Sequence, residues 1–205
     1  MKRSSVWVWL VLSALLGLGL ALACTSGGDD DDNDAADDDA ADDAGDAAGD
    51  DTGDDATGEE VWTDPDTGLT WQVTTSSYTM NWEDANSYCD NLTLAGGGWH
   101  LPTISELRTL IRGCSGTVSS GSCGVTDSCL ALDTCYDDSC GGCSEGGGPN
   151  NGCYGPPEPL TACAWLWSSS AVEDYPTEAW LIYFSYGEVA TFPEGADEEA
   201  ALCVR

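Results

Sequence analysis

The sequence predicts an α+β domain: two short helices packed on small antiparallel sheets, with a long disulfide-rich loop insert. Three observations predict it. Residues 81–113 carry two helix-start signals followed by apolar residues at helical spacing. Residues 61–73 and 165–204 alternate apolar and polar side chains at period two, as half-buried strands do. Between them, 114–163 holds eight of the eleven cysteines, together with many glycines.

The first helix begins at Asn81. Asn is a good N-cap, Asp84 stands at the third helical position, and Met80 and Ala85 occupy the staple positions around it. Trp82, Ala85, Cys89 and Leu92 recur every three or four residues and form one face. The second helix has Thr103 as cap and Glu106 answering it. Ile104, Leu107, Leu110 and Ile111 make its apolar stripe, Arg112 its last turn, and Gly113 its stop. Gly96, Gly97 and Gly98 turn the chain between the helices, with Trp99 covering the gap.

Val61-Trp62 and 69–73 read as a hairpin around Asp64-Pro65-Asp66-Thr67-Gly68. Pro presets the turn and Gly supplies a positive φ at its exit. A calcium loop of the EF-hand type would need Gly and Glu where Leu69 and Thr75 stand. Later strands are expected at 165–170, 179–184, 189–192 and 201–204, with Tyr186-Gly187 turning between the second and third. In the second of these, Trp180, Ile182 and Phe184 share one face, and Leu181 and Tyr183 the other.

Residues 1–23 read as a lipoprotein signal peptide: Lys2 and Arg3, an apolar run, then small residues. Ala21-Leu22-Ala23-Cys24 is similar to a bacterial lipobox, in which Cys24 is acylated and becomes the mature N-terminus; an uncleaved membrane helix is the alternative. Residues 24–60 then comprise the lipidated Cys and an acidic linker of Asp, Ala, Gly and Thr. The linker has too little apolar surface to offset ordering entropy, so disorder is expected. Its 36 residues reach about 120 Å when extended. The expected location is the outer membrane, lipid-anchored and facing the cell surface.

Residues 61–205 suit one domain, with the Cys-rich insert at 113–163. Twenty acidic residues stand against Arg108, Arg112 and Arg205, a net charge of −17. Such a surface repels nucleic acid, anionic lipid and sulfated polysaccharide. In so acidic a domain the arginines are expected to be internal ion-pair partners. An exported chain forms disulfides by default. With Cys24 lipidated, ten cysteines remain; the eight in the insert allow about 105 pairings, and none is assigned. Cys140-Gly-Gly-Cys143 is half of a zinc motif without a second half, so no metal site is assigned. Asp127, Asp133, Asp137 and Asp138 are calcium candidates, although solvated charge explains them more simply. The stretch 145–152 reads as a mobile loop tip.

Several blocks carry a resemblance: Trp62 to Trp71, Trp82 to Leu92, Gly98 to Leu107 (GWHLPTISEL), Trp167 to Ser169, and the final Cys203-Val-Arg205. In this order they resemble the C-terminal domain of the Legionella collagen-like protein family, over nearly all of 61–205. His100 stands where that family usually has Arg. The Leu-Pro-Thr segment is also similar to that of formylglycine-generating enzymes, which have a C-type-lectin-like fold, so the resemblance implies such a fold here. It further implies a disulfide between Cys89 on the first helix and Cys203 on the terminal strand. A sulfated ligand would follow from the family too, but the charge argues against carrying it over.

Catalysis has little support. His100 is the only histidine, with no Ser-His-Asp set around it. A packing or hydrogen-bonding role before the second helix is expected of it. The expected function is extracellular recognition or adhesion, with a neutral glycan or a protein as ligand. A structural envelope protein and an enzyme of the formylglycine-generating type are the alternatives. In lectin-like folds long loops present the site, which here points to the insert and the loop after Trp167. Tyr136, Tyr154 and Tyr175 are the ligand-binding candidates, and no cofactor is expected.

Overall fold

A computed structural model describes residues 60–205. The expected signal peptide, Cys24 and the expected acidic linker up to residue 59 lie outside the described residues. The α+β class holds: few, short helices and two small antiparallel sheets.

The first sheet is the expected hairpin, β1 (Val61–Thr63) against β2 (Thr70–Gln72), with Trp62 opposite Trp71. Asp64 builds its turn. Its carboxylate accepts from the Asp66 N–H and the Thr67 hydroxyl, and Gly68 takes φ +75° to close it. Glu60, assigned to the linker, is already tied to the end of this hairpin, since its carbonyl accepts from Val73 N at 3.0 Å.

Helix α1 (Trp82–Asp90) starts as its cap predicts: Asn81 Oδ1 accepts from Asp84 N at 2.9 Å. Helix α2 (Ile104–Arg108) has the full capping box between Thr103 and Glu106. It is shorter than the stripe implied. After Arg108 the chain tightens into i→i+3 bonds (Leu110 N to Leu107 O, Ile111 N to Arg108 O), then Arg112 N leaves for Tyr154 O in the insert. Leu107, Leu110 and Ile111 stay buried, so the apolar periodicity was a true guide to burial and overran the helix. Gly113, at φ +80°, follows; a Cβ there would press on Pro149 at 3.0 Å.

The second sheet is β3 (Trp165–Ala171), β4 (Glu178–Tyr183) and β5 (Glu188–Pro193), in that order. It separates two apolar clusters. Leu166, Trp180, Ile182 and Val189 face α2 and the insert. Trp167, Ala179 and Leu181 face α1, where Ala85, Cys89, Trp99 and Leu101 complete the packing. The alternation expected in 179–184 is thus real, and both faces pack against a cluster, with Tyr183 only partly buried at the strand's end. The β3–β4 register shifts between Trp167 and Ala171. Serines absorb the irregularity: Ser168 Oγ donates to Trp180 O at 2.7 Å, and Ser170 Oγ accepts from Ile104 N at the start of α2.

The expected last strand, 201–204, is not a strand of this sheet. It runs as a buried wedge bonded on several sides. Cys203 O accepts from Gln72 N, His100 and Val204 exchange both backbone bonds, and Ala201 O accepts from Ser76 N. A residue hydrogen-bonded to different partners at each step cannot keep one ladder. A disulfide joins Cys89 to Cys203 across 114 residues of sequence, pinning the wedge to α1.

The insert has four disulfides: Cys114–Cys143, Cys123–Cys140, Cys129–Cys135 and Cys153–Cys163. Its one helix, α3 (Leu132–Cys135), has no cap of its own. Asp174, from the β3–β4 loop, supplies one by accepting from Leu132 N and Asp133 N. The expected loose tip at 145–152 is instead tied down: Gly146 N donates to Ser185 O, and Gly148 pairs with Gly152. Gly148 packs so closely that a Cβ would meet the Cys153 carbonyl carbon at 2.1 Å.

Candidate ligand-binding surface

The three tyrosines expected to bind ligand have separate fates. Tyr154 is 4% exposed, and its phenol donates to Ser144 O at 2.8 Å, so it is a core residue of the insert. Tyr136 is half-buried and stacked on Trp180, with ring centroids 6.3 Å apart. Burial is the main cause that raises its phenol pKa, with Glu188, Asp138 and Asp137 adding to it. Only Tyr175 stands out, 40% exposed, beside Asp133. A cysteine-rich loop this tightly stapled must make its own small core, and two of the three aromatics went into it.

The arginines depart from expectation as well. Arg108 is 1% exposed and forms no ion pair among the described residues. Its guanidinium donates to the carbonyls of Thr117, Val118 and Val125, so it serves as a hub that orders the first part of the insert. Arg112 does form the expected pair, with buried Asp64 at 3.5 Å and Asp66 at 3.8 Å. Arg205 lies 4.8 Å over the Trp99 ring and donates to the carbonyls of Ala95 and Gly97. His100 Nε2 sits 3.1 Å from Glu106, the capping-box carboxylate, and its backbone pairs with Val204.

Cys140 and Cys143 go into two different disulfides, which removes them as a zinc half-site or redox pair. Among the described residues no three of His, Cys, Asp and Glu converge on a metal position. Asp127 exchanges bonds with Ser105, and Asp137 accepts from Ser139. The Ser139 bonds hold the Asp137 carboxyl below its ordinary value.

An open groove of about 620 Å³ runs along α1. Its wall follows from helical spacing. Ala85 and Cys89 face inward, so Asp84, Ser87, Tyr88 and Asn91, three or four residues apart, share the outward side. Tyr78 also lines it and is the most exposed large apolar side chain among the described residues, at 61%. Met80 lies at the base, 4% exposed. The Tyr88 hydroxyl is anchored by Gln72 Nε2 at 3.0 Å, and Asn81 Nδ2 steadies Asp84 Oδ2 at 2.9 Å. The groove thus offers an aromatic face beside a carboxylate, an amide and a hydroxyl. The helical wall could have been found as the complement of the buried face; Tyr78 sits in a loop without periodicity and gave no signal.

Behind Met80 lies Glu199, which is 2% exposed and holds Met80 N on its carbonyl at 2.8 Å. Its Oε2 has no hydrogen-bond partner among the described residues, and burial pushes its carboxyl up to about 7.

Residues 60–205 match the family described as the Lcl C-terminal domain, and the chain belongs to that family. A search among curated proteins finds no match.

Proposed function

We propose that this chain is an envelope lipoprotein, anchored through Cys24, whose acidic linker presents one disulfide-stapled domain for extracellular recognition or adhesion. The ligand in this reading is a neutral glycan. The clasp between α1 and the terminal wedge supports a lectin-like comparison, because that is the long-range bond such a fold calls for.

The observation that carries the reading is the groove along α1. Sugars stack their C–H faces on aromatic rings, while their hydroxyls bond to carboxylates and amides. Tyr78, Asp84 and Asn91 supply those groups around one open volume. With its net charge of −17, the domain favours uncharged sugars over sulfated ones.

The test is a panel of neutral and sulfated glycans against the purified full-length chain. A neutral glycan should bind, and Tyr78→Ser should weaken it about tenfold, as loss of an aromatic stacking partner does. Failure of every neutral glycan to bind, or equal binding by Tyr78→Ser, would remove the groove as the site. Tight binding of a sulfated glycan at low salt would overturn the charge argument.

A further inference from the structure

The second sheet carries an aromatic strip at the margin of the α1-side cluster, against which Trp165 and Phe192 pack while staying only partly buried. Register places Trp165 opposite Tyr183 and Tyr183 opposite Glu188, in one row across the sheet. Trp165 stacks on Tyr183 with centroids 4.2 Å apart and planes 19° from parallel. Phe192 meets Trp165 at 6.1 Å, tilted 56°. At the β4–β5 turn Tyr186 approaches Tyr183 at 5.0 Å, tilted 54°, so these two rings make a corner. All four side chains are only partly buried, whereas Trp71, Trp167, Trp180 and Phe184 are fully buried. Four adjoining aromatic residues left partly in water on one face call for an explanation, because scattered exposure needs none and clustering does.

Carboxylates flank the corner. Glu145 is exposed and precedes Gly146, whose N–H is bonded to Ser185 O, next to Tyr186. Glu188 starts β5 across from Tyr183. Both act on Tyr186: the hydrogen bond its phenol donates to Glu145 is the largest cause of its raised pKa, and burial and Glu188 add to it. Among the described residues no cation answers them. Arg108 is sunk in the insert, Arg112 pairs with Asp64, and Arg205 lies on Trp99. Arg205 also displays, at another edge of the domain, the chemistry the corner invites: a guanidinium over an indole face, oriented by oxygen acceptors.

We propose that the corner formed by Trp165, Tyr183 and Tyr186, rimmed by Glu145 and Glu188, is a docking site for a basic peptide segment of a protein partner, which inserts an arginine side chain over the rings. The guanidinium stacks on an aromatic face while the two carboxylates take its N–H donors, the geometry a planar fork is suited to. The site is independent of the groove along α1 and stands or falls apart from the glycan reading.

The experiment uses the purified full-length chain and a dye-labelled peptide alternating Gly and Arg, with its citrulline analogue as a neutral twin of the same shape. Anisotropy titrations give the affinities. The arginine peptide should bind at least about tenfold more tightly than the citrulline peptide, and more weakly as salt rises. Tyr186→Ser leaves the net charge unchanged, so it separates local recognition from diffuse attraction to the acidic linker. It should cost about fivefold in affinity, and Tyr186→Phe, which keeps the ring, should restore most of it. Glu145→Gln should cost a similar factor, and Tyr175→Ser, on a different surface, nothing. Equal binding of the arginine peptide by wild type and Tyr186→Ser would refute the site in favour of diffuse electrostatics. Equal binding of the two peptides would also refute it, by showing that charge plays no part.

Discussion

The frame of the domain and its cysteine-rich insert are held together by different physics. The frame, built from α1, the β3–β5 sheet and the terminal wedge, buries Trp167, Leu181, Trp99 and Leu101 around one disulfide that spans 114 residues. The insert from 113 to 163 has a four-residue helix, a 3-10 turn at Asp138–Cys140 and no strand long enough to enter a sheet. It relies on four short-range disulfides, glycines packed against backbone, and the three carbonyl bonds of Arg108. A polar, Gly-rich segment cannot offset its ordering entropy by burial alone. Covalent staples lower that entropy in the unfolded chain, and a buried cation satisfies carbonyls that no ladder reaches.

The contrast can be broken most forcefully at the clasp. Replacing Cys89 and Cys203 by Ala should cost about 5 kcal/mol, because the bond closes a long loop; removing Cys129–Cys135 in the same way should cost only about 2 kcal/mol. Urea melts of the two double variants read the difference. Equal losses would mean that frame and insert are stapled alike.

Next in size is Arg108→Met. It leaves the buried carbonyls of Thr117 and Val125 without a donor, while Val118 O keeps the Gly121 N–H, and should cost about 3 kcal/mol. Hydrogen exchange sharpens the point: protection should fall in 114–126 and persist in β3–β5. Uniform loss across the domain would show that Arg108 supports the frame as well.

The smallest effect is in pH. Glu199, in the frame, has its carboxyl raised to about 7 by burial. A folded state that holds its proton above the unfolded value is favoured at low pH. That stability is fully present below the ordinary carboxyl range and is lost as pH rises through about 7. Glu199→Gln should therefore flatten the dependence and stabilise the domain at pH 8 by about 2 kcal/mol. The insert, together with the β3–β4 loop that caps its helix, has the opposite sign. Hydrogen bonds from Ser139 hold Asp137 below its ordinary value. Although burial raises Asp174, the N–H groups of Asp133 and Leu132 bring it below as well. Their contributions are present above the ordinary carboxyl range and are lost as pH falls through the depressed values. Melting temperatures from about pH 2 to 8 check both arms; a Glu199→Gln variant as pH-dependent as wild type would contradict the first.

Signals that depend on near neighbours in the chain read true. Asn81 and Thr103 start helices because a cap and its partner lie three residues apart. Gly68, Gly113 and Gly187 turn the chain at positive φ where a side chain would be strained. The two-sided alternation of β4 was visible because a strand shows each face every second residue. Even the shortfall of α2 is instructive. Leu110 and Ile111 point inward at the helical period, but Arg112 N finds its partner at Tyr154 O, and only the folded insert offers that acceptor.

The sequence by itself determined the order of the two main helices and the five strands, the helix starts, the acidic charge of the domain, and a disulfide-rich character. All of these rest on composition or on contacts within a few residues. Tertiary structure decided everything that pairs distant positions: which insert cysteines join, that Arg108 would meet carbonyls rather than carboxylates, and that 201–204 would be a wedge. It also chose which tyrosines are available. Tyr154 and Tyr175 look alike in the sequence, and only packing buries the first against Ser144 and leaves the second in water. Burial is a property of the whole fold, and no local pattern within a loop of glycines and cysteines encodes it.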